Sequence, residues 1–275
     1  MNDQPPSIEE PAVLQRLEVF RVVSEVGSSS QEWVAVEKPI AIEFNGISHA
    51  VMLASPANLQ EFALGFALTE GIIASADEMY ECELEHQADG LVVKTIISSK
   101  RFAALKDRRR NLTGRTGCGL CGVETIDQAV RHPNVVEHRH GLAKELLISG
   151  MKKMHDMQPM HHQSGATHAA AWMDLQGQIK AVREDVGRHN ALDKLIGHLA
   201  QEAQDFSQGA VLITSRASFE MVQKCASMGV GLMAAISAPT SLAVSLAQET
   251  GVTLIGYMRQ DNFVVYAHPE RVWQA

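Results

Sequence analysis

The sequence predicts an α/β protein in which a largely parallel sheet, covered by helices on both faces, follows a small α+β module. Three observations carry this expectation. Beyond residue 165, apolar strand-length runs alternate with helical patterns in βαβαβ order. Upstream, two hairpin signals flank one capped helix. The chain's 275 residues, 45% of them hydrophobic, suffice for two cores, since domains centre near ~100–150 residues.

Taken in order, residues 1–15 are polar and Pro-rich and are predicted to be a disordered tail. The small module is predicted over residues 16–110. Within it, Ile42, Phe44, Ile47, His49, Val51 and Leu53 alternate around Asn45-Gly46, the dipeptide that favours a type I′ hairpin turn. A helix is expected next, with Ser55 as N-cap, Pro56 at its first position, Leu59, Phe62, Ala63 and Phe66 on its buried face, and Gly71 as its stop. A second hairpin is expected to turn at Asp89-Gly90.

Residues 111–125 read as a mobile Cys-x-x-Cys loop and residues 126–275 as the α/β domain. In the latter, helical stretches are expected near 123–131 and 141–156, ahead of strands in "ATHAAAWMDL" and "QIKAVRED" and a helix over 188–205. Strands at 210–214, 232–236, 252–258 and 262–267 then alternate with helices at 218–229 and 240–250. Parallel sheets bind ligands outside the carboxyl ends of their strands, where helix starts present free N–H groups. Ser215, Arg216, Ser237 and Thr240 fall at such turns and either line an anion pocket or cap helices.

A net charge of −8 argues against a general nucleic-acid binder. The N-terminus lacks the basic start and apolar core of a signal peptide, and no apolar run is long enough to span a bilayer, so a cytoplasmic protein with reduced thiols is expected. A homodimer is the expected assembly of such a soluble protein. Charge is unevenly placed, however. Between Lys100 and Arg115 stand seven Lys or Arg and one Asp, just ahead of "RTGCGLCGVE". Nearby cations favour thiolate over thiol, and Gly114, Gly117, Gly119 and Gly122 loosen the backbone around Cys118 and Cys121.

Three chemistries compete for this pair. A structural zinc site needs four ligands, but no second Cys-x-x-Cys exists and His132, His138 and His140 lack finger-type spacing. A deaminase zinc site fails because Gly117, not proline, precedes Cys118 and no H-x-E lies upstream. A thioredoxin-type couple would follow an early strand at a helix start, which this pair does not. A dithiol that carries sulfur on a flexible, cation-flanked segment fits better. Cys82, in an alternating strand, and Cys225, inside a helix, read as packing residues.

Together, "ALGFALTEGII", "RTGCGLCGVE", "SGATHAAAW", "REDVGRHNALDKLIG", "LITSRASFEMVQKCASMGV" and "SAPTSLAVSLAQETGVTLIGYMR" resemble the FdhD/NarQ family of formate dehydrogenase accessory sulfurtransferases, over nearly all of residues 17–273. The resemblance implies a three-layer α/β/α, cytidine deaminase-like domain plus a β-grasp-like N-terminal module. It also implies a sulfurtransferase with a cysteine persulfide intermediate and no tightly bound metal of its own. Sulfur would come from a cysteine desulfurase and pass to the bis-molybdopterin guanine dinucleotide form of the molybdenum cofactor, for the catalytic subunit of formate dehydrogenase. By the same resemblance Cys118 carries the sulfur, Cys121 is its partner, and Tyr257, Met258, Arg259, Gln260, Asp261 and Asn262 bind the cofactor. A non-catalytic chaperone for the cofactor is the alternative; only the transferase requires Cys118. Asp185 and His189 are either functional or satisfied groups at a helix start.

Overall fold

The computed structural model describes residues 11–113, 133–137 and 140–273. Cys118, Cys121 and the helix expected near 123–131 lie outside the described residues, as does most of the disordered tail expected over 1–15. The chain opens with an antiparallel ribbon of β1 (Leu14–Val23) and β2 (Val26–Ala35). The first predicted hairpin follows as β3 (Lys38–Phe44) and β4 (Ile47–Ala54), with Asn45 and Gly46 both at positive φ, as a type I′ turn requires.

Helix α1 (Leu59–Thr69) has Asn58, at φ 54° and with no side-chain capping bond, at its N-cap position in place of the predicted Ser55, so Pro56 also precedes the helix instead of opening it. Ser55 is engaged elsewhere: its Oγ accepts a hydrogen bond from Val186 N and its carbonyl one from Lys194 Nζ. Gly71, at φ +62, follows the helix end as expected. The second hairpin, β5 (Met79–Gln87) and β6 (Gly90–Ile97), turns at Ala88-Asp89, one residue early, because Gln87 pairs with Gly90. These strands form a four-stranded sheet in the order β4-β3-β6-β5. Helix α2 (Ser99–Thr113) carries much of the basic stretch; Phe102 and Leu105 pack on the core while Arg101 Nε pairs with Glu78 at 2.8 Å.

After the short β7 (Leu142–Ala143) come α3 (Lys144–Asp156) and the single turn α4 (Pro159–Ser164). The second half then runs β8 (His168–Asp174), β9 (Ile179–Asp185), α5 (Arg188–Gln201), β10 (Gly209–Ile213), α6 (Phe219–Ser227), β11 (Leu232–Ala235), α7 (Ser241–Thr250), β12 (Thr253–Arg259) and β13 (Asn262–Ala267). A last strand, β14 (Val272–Trp273), pairs with β7.

The six-stranded sheet has the order β13-β12-β11-β10-β8-β9. Only β10–β11 and β11–β12 are parallel pairs, so the expectation of a largely parallel sheet is corrected to a mixed one. The cause is local: β8–β9 and β12–β13 are joined by tight turns, and strands so joined must run antiparallel. Side chains alternate between the faces. Trp172, Val211, Met233 and Leu254 meet α5, α6 and α7 on one side, while Ala171, Leu212, Ala234 and Ile255 meet Leu147, Met151 and Met154 of α3 on the other.

Candidate functional site at the carboxyl edge of the sheet

Because β8 is antiparallel to both β9 and β10, its start meets the ends of β9, β10, β11 and β12 along one edge. The loops leaving this edge are zipped together. Ala217 and Pro239 form a parallel bridge, Thr240 N donates to Ala217 O at 3.1 Å, and Tyr257 N donates to Ser237 O at 3.2 Å. Gly256 allows the closeness: a Cβ there would lie 2.9 Å from Pro239 Cδ.

Thr240 accepts from Ala243 N at 3.3 Å, the ordinary capping role. Ser215 is buried and its Oγ donates to Arg216 O. Ser237 and Arg216 remain partly or fully open to solvent. Three arginines stand on this edge: Arg188 after β9, Arg216 after β10 and Arg259 at the end of β12. None forms an ion pair with a carboxylate among the described residues, whereas Arg21, Arg101 and Arg183 each do. Arg259 Nε donates instead to Ile236 O at 3.3 Å. Across the strand spacings between β9 and β12 the edge extends ~19 Å.

The six residues implied to bind cofactor sit at the β12–β13 turn, beyond this edge. Tyr257 and Gln260 both have positive φ, at 52° and 55°, where side chains are strained. Such strain collects at functional sites. Tyr257 is thereby turned outward and exposed. Arg259, Gln260, Asp261 and Asn262 are exposed as well, and Asp261 pairs with Lys152 of α3 at 3.0 Å. Met258 differs, being 2% exposed and packed in the core under α3.

Asp185 is a buried group satisfied by its neighbours. It has no exposure, lies 2.6 Å from the buried Lys194 ammonium, and accepts from Ser55 N, Gly187 N and Asn190 Nδ2. His189, next on α5, is half-buried with Nε2 2.7 Å from Glu220 Oε2 of α6; the two are close but not aligned as a hydrogen bond. His189 holds the Glu220 carboxyl below its ordinary pKa. His168, at the head of β8, is held below its own by burial and by the neighbouring Arg188 charge. The sequence reading passed over both Arg188 and His168; their signal was position, immediately beside a strand end in an edge rich in helix starts.

The two described cysteines are poor nucleophiles. Burial pushes the Cys82 thiol up to about 12, and the Cys225 thiol, fully buried in α6, up to about 12 as well. Among the described residues no group of His, Cys, Asp and Glu is arranged to hold a metal ion, and no helix is long and apolar enough to cross a membrane.

Comparison with known proteins gives a consistent picture. Residues 35–273 match the FdhD/NarQ family. The chain is 52% identical over 248 residues to the sulfur carrier protein FdhD of Bordetella petrii, covering 90% of this chain and 89% of that one. It is 51% identical over 243 residues to the sulfur carrier protein FdhD of Cupriavidus necator, covering 88% and 84%. In fold it is similar to a crystal structure from Desulfotalea psychrophila described as a formate dehydrogenase accessory protein, with a TM-score of 0.73, 24% identity, and coverage of 95% of this chain and all of that one.

Proposed function

The chain belongs to the FdhD/NarQ family, and from that premise we propose that it is a sulfur carrier serving formate dehydrogenase, with Cys118 as the carrying thiol. One observation supports placing the chemistry on Cys118 or its partner Cys121 and not on the other two cysteines, and the choice between the pair rests on the family resemblance. The chain has four cysteines, and the two that the fold encloses, Cys82 and Cys225, are pushed to about 12, where thiolate at neutral pH is negligible. Sulfur chemistry therefore falls to Cys118 and Cys121, which follow the basic stretch.

Loading of the carrier is a thiol exchange without net oxidation. Cys118 thiolate attacks the terminal sulfur of a cysteine desulfurase persulfide; a new S–S bond forms on Cys118, the donor's S–S bond breaks, and the donor leaves as thiolate. Cys121 protects or relays the sulfur: its thiolate attacks Cys118 Sγ, a Cys118–Cys121 disulfide forms, the persulfide S–S bond breaks, and the outer sulfur leaves as sulfide with the two electrons the dithiol supplies. The substrate that receives it is bis-molybdopterin guanine dinucleotide, held at the carboxyl edge with its guanine end at Tyr257, Arg259, Gln260, Asp261 and Asn262 and with Met258 setting the turn from below. The sulfurated cofactor then passes to the catalytic subunit of formate dehydrogenase. The sandwiched sheet is read as the cytidine deaminase-like core that the family resemblance implies, without the deaminase chemistry.

Mass spectrometry after incubation with a cysteine desulfurase and cysteine tests the carrier role. The wild type and a Cys82→Ser/Cys225→Ala double variant should each gain sulfur, and Cys118→Ala should not. Sulfur found on Cys121 of Cys118→Ala, with formate dehydrogenase fully activated, would reverse the two roles.

A further inference from the structure

At one end of the carboxyl edge the starts of α5 and α6 lie against each other, and the side chains between them are not mutually satisfied. Arg188 Nε is buried without a hydrogen-bond partner among the described residues, and so is Ser218 Oγ, which sits at the N-cap of α6 without capping it. A buried donor left unpaired costs ~1–3 kcal/mol, and these two stand at helix starts whose His189 and Glu220 side chains lie 2.7 Å apart, so a shared partner is called for. Arg188 also has no carboxylate to neutralise it among the described residues. Its charge adds to the lowering of two neighbours, His168 of β8 after burial, and Glu220 of α6 after His189 and against burial. Glu220, two residues after Ser218, is 61% exposed and lies against His189 instead, and Asp185 is taken up by Lys194 and by Ser55, Gly187 and Asn190.

We propose that Arg188 and Ser218 form an anion subsite for a phosphate or pyrophosphate group. Guanidinium and hydroxyl donors approaching from two separate elements suit a tetrahedral group with several acceptor oxygens. The first N–H groups of α5 and α6, neither helix having a side-chain cap, add donors on the same side. The subsite lies ~19 Å along the edge from Tyr257–Asn262, so a single extended nucleotide ligand would reach both. That last step rests on the cofactor reading above; the anion chemistry at Arg188 does not.

Calorimetric titration of the full chain with inorganic pyrophosphate, guanosine diphosphate and guanosine separates the two. Pyrophosphate and guanosine diphosphate should bind the wild type, and Arg188→Gln should weaken both about tenfold. Ser218→Ala should weaken them in the same direction, Arg188→Lys should recover part of the loss, and guanosine binding should not change. Wild-type protein that binds neither anion, or Arg188→Gln and Ser218→Ala variants that bind pyrophosphate normally, would overturn the subsite. Pyrophosphate binding that depends on Arg188, with no binding of guanosine diphosphate or guanosine, would keep the subsite and remove the nucleotide reading instead.

Discussion

His168 couples the candidate site to pH through a balance of neighbours. Burial lowers its pKa most, Arg188 and His161 lower it further, Asp185 pulls it up, and His189 adds a smaller lowering. The folded value therefore lies below the 6.5 of an unperturbed imidazole. As pH falls below that, the unfolded chain binds a proton that the folded chain resists, so the stability of the neutral state is complete above 6.5 and is lost as pH falls through the folded value. His168→Gln should lose less melting temperature than the wild type between about pH 7.5 and about pH 5. Parallel declines in the two proteins would assign the acid sensitivity to another group. The same scale shows where sequence reading stops. Asp185 carried equal claims as a functional or a satisfied group. Its bond from Ser55 N spans 130 residues of sequence, a contact no local pattern reports.

Among the elements, the α1–α5 crossing is the tightest contact and depends on two glycines. A Cβ on Gly65 would sit 1.8 Å from Asp193 O, and one on Gly197 would sit 1.8 Å from Glu61 O. The backbones thus touch, which brings Glu61 to Arg183 at 2.5 and 2.7 Å and Lys224 to Asp193, Thr69 and Glu70. Gly65→Ala should destabilise the protein by about 3 kcal/mol in urea titrations, as overpacking does where backbone cannot yield. A Gly65→Ala protein as stable as the wild type would mean that the helices separate without cost. Helices and strands here were legible because their apolar periods are regular, down to the Asn45-Gly46 turn. Strand direction was not. The segment between Asp174 and Gln178 is an antiparallel turn, with Gly177 at φ +74 and Asp174 Oδ1 accepting from Gln176 N and Gln178 N. Its Asp-x-x-Gly signal is weaker than Asn-Gly and was absorbed into the two flanking strands. Tyr257 shows the complementary limit for the site, since no residue type announces a tyrosine held at positive φ.

At the scale of the whole molecule, the four-stranded sheet does not close a core of its own. Ile40, Phe44 and Val93 from that sheet, with Phe62 of α1, belong to one continuous apolar cluster with Leu192 and Leu195 of α5 and Trp172, Val211 and Ile213 of the six-stranded sheet. Polar contacts of buried ion pairs cross the same boundary: Lys194 and Asp185, paired with each other, both hydrogen-bond Ser55 just after β4, and Lys224, paired with Asp193, donates to Thr69 and pairs with Glu70 at the end of α1. Buried pairs of this kind add little net stability but are costly to break, because removing one partner strands the other charge; the loss is about 3–5 kcal/mol. Their effect here is to make the two sheets one cooperative unit. Hydrogen exchange should then show amides of β3 and β10 opening with a common free energy, as members of a single global transition do. Lys194→Met, which leaves Asp185 without its counter-charge, should lower both by the same amount. If instead β3 and β6 opened at lower free energy than β10, and Lys194→Met affected only the former, the halves would be separate units, and relative motion between the small module and the carboxyl edge would become available for presenting sulfur to the cofactor. A common opening energy removes that route and leaves the delivery of sulfur to the segment that carries Cys118.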